Sequence, residues 1–250
     1  MKALITGASS GMGRDMAKVL SSEGYDLILV ARRKEPMEEL KNELKTNVKI
    51  ITLDLMDEKN VFKLYDLTKN DNIDLLVNNA GFGLFGVFNK TDLDRELEMI
   101  NLNIKAVHIL TKLFLQDFIK KDNGQILNVA SSAGFLAGPH LNTYYATKNY
   151  VLKLTMALYQ ELKEQNSNVT ISALCPGPVN TEFNKVAKGK FTIKGLQSMN
   201  VARYAIKKMH QGKLIIIPGI TTKLGVFFNR FLPYKAQLKI ISKIQLRKNK

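Results

Sequence analysis

Short runs of consecutive Val, Ile and Leu punctuate this chain, separated by longer stretches with apolar residues at every third or fourth position. The runs Lys2–Thr6, Asp26–Ala31, Val48–Leu53, Ile73–Val77, Gln125–Ala130, Val169–Leu174 and Lys213–Pro218 predict seven strands buried on both faces. The intervening patterns predict helices over 12–24, 35–46, 57–69, 92–120, 142–166 and 200–211. Such alternation implies helical crossovers between parallel strands, hence an α/β fold with a doubly wound, seven-stranded parallel sheet flanked by helices. No repeat, low-complexity tract or linker interrupts it. Residues 1–219 therefore read as a single domain, and 220–250 as a basic extension that is not an independent domain.

The 250 residues, 45% of them hydrophobic, suffice for one large core. The single Cys175 excludes a disulfide framework or a cysteine-rich zinc site, and its apolar strand-end setting suits an inert core thiol. The three histidines lack metal-ligand spacing, so no metal is expected. No apolar run reaches the roughly 18 residues of a membrane-spanning helix. The opening MKALITGASS turns polar too soon for a secretion signal, and a cytoplasmic protein is the expectation.

Charge changes the picture more. Residues 1–182 hold 21 Lys and Arg against all 22 Asp and Glu, whereas residues 183–250 hold the other 16 Lys and Arg and no acid. A near-neutral body thus carries a strongly basic last quarter, unlike a uniformly basic nucleic-acid binder, and no nucleic-acid partner is expected.

The first strand runs directly into Thr6-Gly7-Ala8-Ser9-Ser10-Gly11-Met12-Gly13 and then a helix pattern. Glycines there let the backbone turn tightly and approach a pyrophosphate, which the free N–H groups of the helix N-terminus attract. An acid after the second strand would bind a ribose 2′-hydroxyl and repel a 2′-phosphate. Arg32 and Arg33 stand there instead, favouring NADP(H) over NAD(H), with Arg32 as the phosphate partner.

Together with that turn, Asn78-Asn79-Ala80-Gly81, Tyr144-Tyr145-Ala146-Thr147-Lys148 and Pro176-Gly177-Pro178-Val179-Asn180-Thr181 resemble the short-chain dehydrogenase/reductase family, in its order and spacing over residues 2 to about 218. The resemblance implies a Rossmann fold and hydride exchange between a nicotinamide and a carbonyl or alcohol. It implies Tyr144 as acid/base, Lys148 as its partner, Ser131 as the serine that orients substrate, and Asn103 in the proton relay. For the cofactor it implies contacts from Gly7, Ser9, Ser10, Gly11, Met12, Gly13, Asp54, Leu55, Asn79, Ala80, Gly81, Pro176, Gly177, Val179 and Thr181, besides Tyr144 and Lys148. One departure is Ser10, where relatives that prefer NADP often carry a basic residue.

A free tyrosine has a pKa of about 10 and is a poor base at neutrality. Tyr144 and Lys148, four residues apart, share a helix face, so the ammonium, together with the positive nicotinamide of the oxidised cofactor, is expected to lower that pKa. Tyr145 has no lysine four residues on and reads as packing; Ser132 and Asn101 are the near-misses for Ser131 and Asn103. His108 reads as packing or interface. His140, between Ser131 and Tyr144, divides evenly between substrate contact and neither. A lid is expected over Glu182–Ser198, holding Phe183, Lys185, Lys188, Lys190, Phe191 and Lys194. Steroid, sugar, acyl-thioester and xenobiotic ketones all suit such a pocket.

Related sugar epimerases share the Tyr-xxx-Lys pair but carry a different glycine turn and a larger C-terminal domain. A non-catalytic NADP(H)-binding regulator that uses the basic tail is the alternative of another class. The long helices at 92–120 and 142–166 are those through which the family commonly forms homodimers or homotetramers. In the tail, Leu224–Leu232 is apolar and aromatic; Lys235, Lys239, Lys243 and Arg247 then form a basic stripe, with Tyr234, Leu238, Ile241 and Ile244 on another face. Two readings compete: an interfacial helix in peripheral contact with a membrane, or Phe227, Phe228, Phe231 and Leu238 packed on the body or a sister subunit.

Overall fold

The computed structural model describes residues 1–183, 187 and 195–247. Its main sheet has seven parallel strands in the order β3-β2-β1-β4-β5-β6-β9. These are β1 (Lys2–Thr6), β2 (Asp26–Ala31), β3 (Val48–Thr52), β4 (Leu75–Asn78), β5 (Gln125–Val129), β6 (Thr170–Leu174) and β9 (Ile215–Ile216). The strands are apolar throughout because alternate residues enter different layers. Ala3, Ile5, Leu27, Leu29, Leu75 and Val77 face one core; Leu4, Ile28, Val30, Leu76 and Ile126 face the other.

Helices α1 (Gly11–Ser22), α2 (Glu35–Glu43) and α7 (Ser198–His210) cover the first layer, through Met16, Leu20, Met37, Leu40, Ile206 and Met209. Helices α3 (Glu58–Thr68), α5 (Val107–Lys120) and α6 (Asn142–Glu164) cover the second, through Leu64, Leu110, Phe114, Phe118 and Leu162. The strand order reverses between β1 and β4, which opens a crevice at the carboxyl ends of the strands, the usual ligand position in such sheets.

Several elements differ from the sequence reading. The single helix expected over 92–120 is α4 (Leu93–Ile100) and α5 joined by a π-helical turn, Asn101–Ala106. The seventh strand is two residues long rather than six. A second, two-stranded parallel ribbon pairs β7 (Val179–Asn180) with β8 (Leu196–Gln197), which no alternation signalled.

The extension folds into α8 (Ile220–Asn229) and α9 (Tyr234–Arg247). Gln237 locks the two together: its Nε2 donates to Asn229 O at 3.0 Å and Leu232 O at 2.7 Å, and its Oε1 accepts from Asn229 Nδ2 at 3.0 Å. The face of α9 that meets the body carries Ile241 and Gln245, 6% and 1% exposed. Tyr234, Leu238 and Ile244, grouped with Ile241 in the sequence reading, are exposed instead. Phe227, Phe228 and Phe231 do not pack on the chain's own body; they are 50%, 60% and 72% exposed, and Val226 is the α8 residue that is buried. Among the described residues, no helix is long and apolar enough to cross a membrane.

Candidate active site

The β1–α1 turn is built around glycines that a side chain would wreck. Gly7 and Gly11 have φ of +67° and +53°. A Cβ on Gly13 would stand 2.3 Å from Gly7 O and 2.5 Å from Asn79 Nδ2. The Asn79 amide fixes the turn by donating to Thr6 O at 3.0 Å and Gly7 O at 3.2 Å, while Thr6 Oγ1 accepts from the Asn79 and Ala80 N–H groups, both at 3.0 Å. At the start of α1, Ser10 makes no side-chain cap and the first turn holds no acid. Its N–H groups and positive dipole end are therefore available to an anion.

This turn floors a cavity of about 380 Å³, to which Gly7, Ser9, Ser10, Gly11, Met12, Arg32, Asp54, Leu55, Asn79, Ala80 and Gly81 all contribute. Gly13 lies beneath it as packing. At the rim Arg32 Nη1 is 3.8 Å from Asp54 Oδ2, whereas Arg33 Nη2 pairs with Glu182 at 2.9 Å and donates to Ser9 Oγ at 3.4 Å. Both guanidiniums thus border the cradle, along with Arg95, stacked 4.0 Å from the Phe82 ring centre. Uncapped helix end, glycine cradle and flanking arginines fit the pyrophosphate of a dinucleotide.

The cavity continues, across Met12, Asn79, Gly81, Thr181 and Phe183, into one of about 150 Å³ bordered by Ser131, Tyr144, Lys148, Pro176, Gly177 and Val179. Ser131 lies two residues past β5; its Oγ accepts from the Ala133 N–H at 3.1 Å and is close enough to Tyr144 to influence the phenol. Lys148, one α6 turn beyond Tyr144, is buried and donates through Nζ to Val129 O at 2.8 Å. Its Nζ stands 5.9 Å from the Tyr144 ring centre. Gly81 leaves room for this arrangement: a Cβ there would be 2.9 Å from Asn103 Oδ1 and 3.4 Å from Lys148 Nζ.

Burial governs both titrations. It pushes the Tyr144 phenol up to about 12, against a smaller opposing effect of the Ser131 hydrogen bond. It brings the Lys148 ammonium down to about 8. In the protein alone desolvation outweighs a cation aimed at a backbone carbonyl; the lowering expected from the sequence is one that Lys148 exerts together with the positive nicotinamide of the oxidised cofactor. The phenol keeps its proton at neutrality, as a proton donor should.

Asn103 lies in the π-helical turn and borders neither cavity. Its Oδ1 accepts from Phe82 N at 3.1 Å, and its Nδ2 donates to Phe82 O at 2.9 Å and Thr147 Oγ1 at 3.1 Å, clamping the 81–82 loop to α6. Asn78 fixes the strand ends through a buried network, its Nδ2 donating to Thr111 Oγ1 and Asn128 Oδ1 at 3.0 and 2.9 Å. Cys175 is fully buried and its thiol is held up at about 12 by that burial. His108 bonds Tyr150 on the surface at 2.8 Å. His140 borders neither cavity and stacks on Phe85 with centroids 6.0 Å apart.

Of the expected lid, Phe183 lies against Tyr144, ring centroids 5.2 Å apart. Lys185, Lys188, Lys190, Phe191 and Lys194 lie outside the described residues. Gly83 permits that stacking, since a Cβ would be 2.8 Å from Phe183 Cζ. Tyr145 is more than packing: it borders the smaller cavity, and its hydroxyl accepts from Gln245 Nε2 at 2.6 Å. Sequence reasoning missed Gln245, which is 100 positions from Tyr145 with no local signal to reveal it.

A family model of short chain dehydrogenases matches residues 1–190. An uncharacterized oxidoreductase of Staphylococcus saprophyticus is 36% identical over 183 residues, 72% of this chain and 74% of that protein. One from Staphylococcus aureus is 28% identical over 224 residues, 88% and 96% of the two chains. Among solved structures, a short-chain dehydrogenase from Sphingobium yanoikuyae in complex with NADPH superposes with a TM-score of 0.83 at 27% identity, over 92% of this chain and 93% of that one. One from Burkholderia phymatum in complex with NAD shares the fold at TM-score 0.84 and 23% identity, over 92% of each chain. The chain belongs to the short-chain dehydrogenase/reductase family and is an oxidoreductase of that family.

Proposed function

We propose that this oxidoreductase prefers NADP(H) and interconverts a carbonyl compound and its alcohol, with Tyr144 as acid/base. The observation that carries the reading is the convergence of Ser131, Tyr144 and Lys148 on one cavity that opens into the phosphate cradle. The cofactor would be held by Gly7, Ser9, Ser10, Gly11, Met12, Arg32, Asp54, Leu55 and Asn79–Gly81 on the nucleotide side, and by Tyr144, Lys148, Pro176, Gly177, Val179 and Thr181 on the nicotinamide side, with Gly13 letting the turn close beneath it. When bound, it supplies or accepts the hydride. Ser131 Oγ holds the carbonyl oxygen by a hydrogen bond that strengthens as negative charge gathers there. Tyr144 Oη delivers the proton to that oxygen. Lys148 restores the proton at Tyr144, and Asn103 holds the loop against which Lys148 is set.

The tail and the outer helices support two further assignments: a homo-oligomer formed through α4, α5 and α6, and peripheral attachment to an anionic membrane surface through α8. The chemistry is tested by cofactor oxidation against a ketone panel, with NADPH and NADH in parallel. Tyr144→Phe is expected to bind NADPH normally and to lose turnover by about a thousandfold, the scale of one acid catalyst. Near-normal rates in that variant would refute the assignment.

A further inference from the structure

We infer that Gln245 and Tyr145 form a substrate subsite beside the reacting centre, built to receive a hydroxyl group carried by the carbonyl substrate. This rests on the reading of Ser131 and Tyr144 as that centre. Gln245 comes from the last turn of α9, is 1% exposed, and borders the same cavity as Ser131 and Tyr144. Its Nε2 donates to Tyr145 Oη at 2.6 Å, while its Oε1 is buried with no hydrogen-bond partner.

A buried amide oxygen left without a partner is destabilising. An apolar residue would serve packing better at this position, one turn beyond the buried Ile241. The pair also leaves a second group unused. Because Tyr145 Oη accepts from the amide, its own hydrogen is directed elsewhere, and no acceptor for it is found among the described residues. The subsite therefore offers one acceptor and one donor side by side, and a hydroxyl, which donates and accepts, satisfies both.

The subsite is held rigidly and close. A Cβ on Gly138 would strike the Tyr145 ring at 2.3 Å, so the glycine seats that ring without play. The Tyr145 ring stands edge-on to Tyr144 with centroids 6.2 Å apart. A small molecule can thus place its carbonyl at Tyr144 and its hydroxyl at Gln245. The tail helix, seen in this light, completes the active site.

The test compares 4-hydroxycyclohexanone with 4-methylcyclohexanone, probes of similar shape, with NADPH. The unmodified protein is expected to favour the hydroxy ketone at least tenfold in kcat/KM. Gln245→Met, which keeps the volume and removes the acceptor, brings the ratio to about one. Gln245→Glu, which keeps an acceptor, retains the preference, a rescue that a purely structural role would not show. Calorimetric titration of Tyr144→Phe with both ketones reads the same ratio without turnover. Equal constants for the two ketones in the unmodified protein, or a preference that survives Gln245→Met, overturns the proposal. Failure of the underlying reading looks different: Tyr144→Phe keeps its turnover.

Discussion

Lys148 should make the ligand-free protein less stable than it need be, and the structure gives the size of the effect. Its ammonium is buried, and its pKa falls from the ordinary 10.5 to about 8 through desolvation. At roughly 1.4 kcal/mol per pH unit, that drop means the charged form destabilises the fold by about 3 kcal/mol. Lys148→Met removes the charge and keeps the length. It also strips Val129 O of its 2.8 Å donor, which costs about 1 kcal/mol. The variant should therefore be more stable at pH 7 by about 2 kcal/mol, or some 4–8 °C in Tm for a chain of this size.

The pH dependence is the sharper signature. Above pH 10.5 the lysine is neutral in both states and imposes no penalty. As pH falls from 10.5 to 8 the unfolded chain takes up a proton that the folded one refuses, so wild-type stability drops through that window and the loss is complete below pH 8. The advantage of Lys148→Met should accordingly be full at pH 7 and close to zero at pH 10. Urea unfolding of the nucleotide-free proteins at the two pH values, followed by far-UV circular dichroism, measures it. A variant less stable than wild type at pH 7, or a difference that ignores pH, refutes the reasoning.

Two other outcomes are expected. Arg32→Asp should raise the NADPH dissociation constant about tenfold and leave that for NADH nearly unchanged, the scale of a charge reversal at an exposed site; a native protein that already binds NADH better sinks this. Static light scattering should give at least twice the 28.1 kDa chain mass at micromolar concentration, and a monomer would contradict assembly through α4, α5 and α6.

The strands could be read from the chain because each is an apolar run whose alternate residues enter separate layers, as Leu4 and Ile5 do. The π-helical turn at Asn101–Ala106 could not, because such a turn carries no residue signature of its own and lies inside one continuous helical pattern. The glycine turn and the Tyr144–Lys148 pair are local patterns, legible wherever they occur. Gln245 is the opposite case. Its role arises where α9 returns across the body to Tyr145, and an amphipathic pattern with apolar residues on several faces does not say which face docks. That is why Ile241 is buried whereas Tyr234, Leu238 and Ile244, placed on the same stripe, are exposed.

The same tail carries the last prediction. Phe227 sits 5.4 Å from Phe228 and 5.5 Å from Phe231 between ring centres, so three exposed rings form one patch. Residues 183–250 contain no acid at all, and 220–250 alone hold eight Lys and Arg. A sister subunit with the same charge would be repelled there, whereas an anionic bilayer is attracted, by about 1 kcal/mol for each basic residue near the surface. Inserting the rings adds roughly 1–2 kcal/mol each, since half to nearly three quarters of each is exposed. Together these amount to reversible attachment. Removing the tail after Gly219 is the wrong test, because it also takes Ile241 and Gln245 from the body. Replacing Phe227, Phe228 and Phe231 by Ser leaves both in place. Full-length protein should co-sediment with phosphatidylglycerol vesicles at low salt, and release as salt rises. The triple variant should stay in the supernatant with its Tm and solution mass unchanged. A triple variant of halved mass would make the patch a subunit contact and refute the membrane assignment, as would wild-type protein that never sediments.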